Sequence, residues 1–225
     1  MPRVSEEYFE NKRREILDAA YRVCVRKPVN SVVMKDIIDE TGFSHGVIYK
    51  YYKDLDEVLT DLVIRINSEN KIDDRLDEIL ARSDIRNWEK TIYEICWMLA
   101  DYMREVGTDM LKVSVYGDML AMSDPERAMR ISSRLGKDEQ SPLLYATEVM
   151  TEFLAKVVKE NKLKPVTTVD EIIQFFIVNY HGIQSGYVLT ECFKVQHIEG
   201  KYKLDDMYRN LATAVVLMLG GKAAM

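Results

Sequence analysis

The sequence predicts an all-α protein of about nine or ten helices. Three observations carry that prediction. Apolar residues recur three and four positions apart along most of the chain, the spacing of one helical face. Only 10 glycines and 5 prolines occur in 225 residues, and most fall between the periodic runs. An all-β sandwich or barrel uses many more turn residues. Helix-opening side chains stand in front of several runs, where they can satisfy the free N–H groups of a first turn.

Each element has its own signal. Ile16, Leu17, Ala20, Val23 and Cys24 share a face and Pro28 follows, which predicts a first helix from about Glu6 to Arg26. A short run from Met34 to Thr41 stops at Gly42, and a further short helix is expected from Ser44 to Tyr51. Asp54-x-x-Glu57 is a capping box that opens a fourth helix reaching about Ser68. Asp84 can cap a long helix from Ile85 to Val106, which Gly107 ends. Asp124-Pro125 and Ser141-Pro142 each place a cap before a proline at the first helical position, the second helix reaching about Asn161. Thr168-x-x-Glu171 is another capping box, with its helix running to about Phe193, and a last helix covers about Leu204 to Leu219. Val113 to Tyr116 alternates like a strand but has no partner, and Gly220 to Met225 reads as a frayed tail.

Composition excludes several classes. With 47% hydrophobic and 30% charged residues the chain is neither collagen nor a disordered tail. No stretch reaches eighteen apolar residues, so no membrane partner is expected. Met1 to Asn11 is charged and lacks the apolar core of a secretory signal. Cys24, Cys96 and Cys192 lie far apart, without metal-ligand spacing, and read as reduced, mostly buried thiols of a cytoplasmic protein. No metal or cofactor is expected. The net charge of -6 is uneven: Met1 to Lys53 holds 10 Lys+Arg against 8 Asp+Glu, the remainder 21 against 29. That permits an anion-binding head on an acidic body.

The informative segment lies around Gly42. Two short helices about a glycine turn are the local signature of a helix-turn-helix. Ile37 and Ile38 precede the turn, Gly42 can take the left-handed backbone it needs, Phe43 covers it and Ser44 can cap the second helix. Ile48 and Tyr52 face inward, leaving His45, Val47, Lys50 and Tyr51 outward or flanking, and Gly46 lets another backbone approach. Such a helix can lie in a major groove with its ends anchored on phosphates. Tyrosines, Lys50 and Lys53 suit phosphate, and small apolar side chains suit thymine methyls. Lys12, Arg13 and Arg14 either meet phosphate or form a solvated face.

The run Ile37-Ile38-Asp39-Glu40-Thr41-Gly42-Phe43-Ser44-His45-Gly46-Val47-Ile48-Tyr49-Lys50-Tyr51-Tyr52 resembles the DNA-binding core of TetR-family transcriptional regulators. Arg14-x-Ile16-Leu17-x-Ala19-Ala20 resembles that family's first helix, so the likeness covers about Arg13 to Leu59. Four positions depart from it. Leu55 replaces the family's usual lysine, Val33 a frequent Thr or Ser, and Ile38 and Thr41 two alanines. The resemblance implies a three-helix head in residues 1–53 and a helical ligand-binding and dimerisation body in residues 54–225. It implies DNA contacts from Arg14, Ser44, His45, Val47, Tyr49, Lys50, Tyr51 and Lys53.

The body offers large soft side chains. Trp97, Met98, Tyr116, Phe153, Phe176 and Tyr180 are candidate effector contacts, although such stripes also make ordinary cores. His45 reads as DNA-facing, His181 as a satisfied core histidine, and His197 lies in a polar loop. Met207, Leu211, Ala214 and Met218 form a narrow seam, and Gly182, Ser185 and Gly186 a flat strip. Both read either as internal packing or as a homodimer interface. The leading functional expectation is a dimeric repressor of double-stranded operator DNA, released by a small hydrophobic or aromatic effector. The acidic body favours a cationic effector over an anionic one. Two alternatives stay open: a protein-interaction regulator with a degenerate head, and a helical enzyme. The second lacks a phosphate loop, a nucleophile elbow or a metal cluster.

Overall fold

The computed structural model describes residues 6–69, 72–136, 141–194 and 203–222. Among them no strand occurs, and ten α-helices follow one another: α1 (Glu6–Arg26), α2 (Met34–Thr41), α3 (His45–Ile48), α4 (Leu55–Glu69), α5 (Ile72–Ala81), α6 (Trp88–Ser123), α7 (Pro125–Ser132), α8 (Pro142–Glu160), α9 (Val169–Phe193) and α10 (Leu204–Met218). His197 and the end of the tail lie outside the described residues.

The capping side chains act where the sequence places them. Asp54 accepts from Glu57 N–H at 2.8 Å while Glu57 reaches back to Lys53 N–H at 2.7 Å. Asp124 accepts from Arg127 N–H, and Ser141 from Leu143 N–H. Thr168 and Glu171 exchange bonds across the first turn of α9. Three expectations change. Asp84 opens a short 3-10 turn at Ile85–Asn87, and α6 begins only at Trp88. Val113 to Tyr116 is helical, because α6 resumes beyond Gly107; that glycine breaks it with φ 76° and ψ 166°, a conformation side chains oppose. The helix α5 has no counterpart in the sequence reading, although Ile72, Leu76 and Ile79 are its buried face.

The chain divides into two compact units. The first holds α1–α4, α6 from Lys112 onward, and α7; the second holds α5, α6 through Leu111, and α8–α10. The division does not fall at residue 53. The helix α4 packs on α1 within the first unit, and α7 packs on α4. The first core joins Ile16, Ala19, Ala20 and Val23 of α1 to Ile37 and Ile38 of α2, Ile48, Tyr52, and Val58, Leu59 and Leu62 of α4.

In the second unit α9 packs against α8 and α10, and α5 against α8. Trp88 is buried beside Gly221, where a Cβ would come within 2.6 Å of the indole. Leu211 is only 4% exposed, so this seam residue belongs to the chain's own core. Cys24 and Cys96 are buried free thiols, pushed up by burial to about 11 and about 12, and Cys192 is half-buried.

Candidate nucleic-acid interface

The first unit builds a helix-turn-helix from local chemistry. Gly42 ends α2 in the left-handed region, with φ 68°, and donates to Ile38 C=O at 3.1 Å. Thr41 Oγ1 accepts from Phe43 N–H at 3.1 Å, a bond the family's alanine cannot make. Ser44 stands at the N-cap of α3, but its side chain makes no capping bond; its carbonyl accepts from Val47 and Ile48 instead. The second helix is shorter than the expected Ser44–Tyr51. It spans His45–Ile48 and continues as tight turns to Tyr51, with Lys50 N–H on Val47 C=O and Tyr51 N–H on Ile48 C=O.

Ile48 and Tyr52 anchor this element, at 0% and 2% exposed. Tyr52 O–H donates to Asp61 at 3.0 Å, and Arg13 donates to the same oxygen at 2.5 Å while lying over the Tyr52 ring. Burial pushes the Tyr52 phenol up, and the Asp61 carboxylate adds to that. The second helix α2 is tied to α1 by Lys27–Asp36 and by Arg22 and Arg26 on Glu40. Asp36 also accepts from Val33 N–H at 2.8 Å, so α2 has a cap despite the valine.

Of the eight expected contact residues, Arg14, Ser44, His45, Tyr49, Lys50 and Lys53 are exposed, and Val47 and Tyr51 are half-buried. The His45 and Tyr49 rings stack at 6.4 Å. Open space surrounds the position a Cβ would take on Gly46. The structure therefore brings His45, Val47, Tyr49 and Lys50 onto one short element, with Lys53 beyond it, and Arg14 on α1. Leu55 packs against the core. Beside it the start of α4 carries a feature the sequence reading missed: Arg127 donates to Asp56 at 2.6 Å, Arg130 lies 3.6 Å from Asp56, and Arg134 lies 3.3 Å from Asp54. The first two arginines stand on α7 and the third in the turn that follows it.

Two of the six candidate effector contacts line one groove. Trp97, 48% exposed, and Met98 line a groove of about 300 Å³ in the second unit. Ile79 and Arg75 of α5 line it too, with Arg82 just past that helix and Glu94 and Asp101 of α6. Phe153, Phe176 and Tyr180 are half-buried on α8 and α9 and do not line this groove. Tyr116 belongs to the core of the first unit. His181 is half-buried with its ring 5.6 Å from that of Tyr180. No helix is long and apolar enough to cross a membrane, and no metal-holding cluster occurs, among the described residues.

Residues 16–62, which contain the turn, the recognition element and the start of α4, match the bacterial regulatory proteins of the tetR family. The chain thus carries a segment similar to the DNA-binding region of TetR-family transcriptional regulators. It is 24% identical over 182 residues to the uncharacterised HTH-type transcriptional regulator YfiR of Bacillus subtilis, spanning 81% of this chain and 82% of that one. It is 23% identical over 186 residues to an HTH-type transcriptional repressor of Mycobacterium tuberculosis, spanning 77% and 97%. A regulator from Saccharomonospora viridis solved in complex with choline shares the fold, with TM-score 0.60 and 16% identity over 90% of this chain and 94% of the other.

The departures from that family's pattern have a physical account. Where a TetR-family chain usually sets a lysine at the start of α4, this one packs a half-buried Leu55 against the core and pairs Asp56 with Arg127 and Arg130 of α7, and Asp54 with Arg134 just beyond it.

Proposed function

We propose that this protein is a cytoplasmic, homodimeric repressor that binds a palindromic operator through α3 and leaves it when a small molecule fills the body. The observation that carries the reading is the family-matched turn, whose short second helix exposes His45, Tyr49 and Lys50 around an open Gly46. His45 and Val47 face base edges, Tyr49, Tyr51, Lys50 and Lys53 hold phosphates, and Ser44 and Arg14 flank them. The repressor relative supports the sign of regulation. The groove beside Trp97 and Met98 is the effector subsite. Its mixed charge suits an amphipathic effector, and the choline-bound neighbour supports a cationic one.

Coupling needs an effector that binds the two conformations with different affinity. The long helix α6 carries the chain from the second unit into the first at Leu111–Lys112, shortly after the Gly107 break. A coupling of about 1–3 kcal/mol lowers operator affinity roughly 5- to 150-fold, and operator DNA weakens the effector by the same factor.

A mobility shift with DNA upstream of the protein's own gene tests the first half. Lys50→Ala weakens this duplex and an unrelated one alike and lowers the salt slope by about one. Unchanged affinity and slope would remove Lys50 from the interface. Binding to neither duplex by the unaltered protein would favour the protein-interaction reading. Quenching of Trp97 by choline and by hydrophobic cations, compared in Trp97→Phe, tests the second half.

A further inference from the structure

The first turns of α1 touch the recognition element on both of its sides. Tyr8 and Phe9 are 49% and 45% exposed, an unusual state for two adjacent aromatic rings. The Phe9 ring sits 5.7 Å from the Tyr51 ring, tilted by 54°, and the Tyr8 ring meets Phe9 edge-on at 6.3 Å. Three residues further along, the Lys12 ammonium lies 4.5 Å from the centre of the Phe43 ring and 6.0 Å from that of Tyr8. Phe43 immediately precedes α3 and its cap, and Tyr51 ends the turns that follow α3.

The three consecutive basic residues of α1, Lys12, Arg13 and Arg14, therefore have different fates. Arg13 is committed to Asp61 and the Tyr52 ring. Arg14 is exposed on another part of the helix. Lys12 is held over aromatic faces next to the recognition element, with Glu15 at 2.9 Å as its carboxylate partner. Lys12 and Tyr51 are close enough to act on each other electrostatically: the ammonium opposes the rise that burial imposes on the Tyr51 phenol.

We infer that Lys12 and Tyr51 form a DNA-phosphate clamp on the flank of α3, and that Phe9 is the positioning residue that fixes the Tyr51 ring for it. The inference rests on the DNA-binding reading above. An ammonium has three donors, so a phosphate can be added to its bond with Glu15. The tyrosine hydroxyl supplies a neutral donor to the same backbone. Phe9 has nothing to give a phosphate. Its contribution is to restrict the Tyr51 ring, so that less freedom is lost when the hydroxyl meets its acceptor.

The experiment measures anisotropy of two labelled duplexes of equal length, one from upstream of the protein's own gene and one unrelated, over a series of KCl concentrations. Lys12→Ala is expected to weaken both about fivefold to tenfold and to lower the salt slope by about one, with Lys12→Arg restoring both. Phe9→Ala is expected to weaken both duplexes with the salt slope unchanged, and Phe9→Leu to recover part of the loss. In a Tyr51→Phe background the Phe9→Ala loss is expected to disappear, which a merely structural role for Phe9 would not produce. Circular dichroism checks that each variant is folded. If Lys50→Ala weakens binding while Lys12→Ala changes neither affinity nor slope, the clamp is overturned and the DNA-binding reading stands. If Phe9→Ala costs the same with and without the Tyr51 hydroxyl, the positioning role is overturned. If the unaltered protein binds neither duplex, both readings fall together.

Discussion

Tyr52 shows how one side chain can set the place of a binding element. Its ring is 2% exposed beneath α3, its hydroxyl donates to Asp61, and Arg13 covers its other face. Deleting the hydroxyl leaves Asp61 with Arg13, so the carboxylate is not abandoned. Tyr52→Phe is therefore expected to cost only about 0.5–1.5 kcal/mol in urea unfolding, the ordinary worth of one bond. A loss well above that range would mean that Tyr52, rather than Arg13, is what satisfies Asp61. The inward direction of Ile48 and Tyr52 was legible because they stand four apart on a helical turn. The role of Arg13 was not. The run Lys12-Arg13-Arg14 looks like one basic patch in sequence, and only the partners Asp61, Phe43 and Glu15, distant or sharing a turn, separate its members.

Elements were legible where a cap announces them and hidden where packing alone makes them. Asp54, Asp124, Ser141 and Thr168 each open the helix the sequence assigns to them. The helix α5 has no such opening side chain in the sequence reading, and it is held by Leu76 and Ile79 against neighbours the sequence does not name. The recognition helix is short, yet the turns after Ile48 still bring Tyr52 N–H onto Ile48 C=O at 3.1 Å, so both side chains reach the core. The docking of α2 on α1 has a pH consequence. Lys27 first, and then the Val33 N–H, hold the Asp36 carboxyl below the usual carboxylate range. A carboxylate lowered by folding stabilises the folded state above its unfolded value, about 3.9, and that contribution is lost as pH falls through the lower folded value. The urea midpoint is expected to fall between about pH 5 and pH 3, and Asp36→Asn to reduce the midpoint at pH 7 while flattening that fall. An unchanged slope in Asp36→Asn would assign the acid sensitivity to other carboxylates, with Glu40 next because Arg22 and Arg26 lower it in the same way.

Assembly is where sequence periodicity says least. The seam Met207, Leu211, Ala214, Met218 is a helical face, yet periodicity cannot say whether a face meets its own chain or another. Leu211 is buried by its own chain, so Leu211→Glu is expected to unfold the second unit rather than split a dimer. The last two helices do carry exposed apolar side chains: Val178, Leu189 and Phe193 on α9, at 70%, 41% and 48%, and Leu217 on α10, at 49%. Val178, Gly182, Ser185, Leu189 and Phe193 follow one another at spacings of four and three, a stripe with small residues at its middle. Small residues there let a second helix come close, and the two exposed apolar ends give it surface to bury. The homodimer proposed above is expected to form through this stripe, as a twofold contact in which α9 meets its own copy. Two heads then face half-sites roughly 34 Å apart or a larger whole number of turns. Leu189→Arg places a charge at the contact without touching the core. It is expected to give a folded monomer in sedimentation, with helical content unchanged and operator affinity reduced because each head binds alone. A folded Leu189→Arg protein that still sediments as a dimer would move the interface off α9, and a monomer with undiminished operator affinity would show that pairing of the heads is not needed for DNA binding.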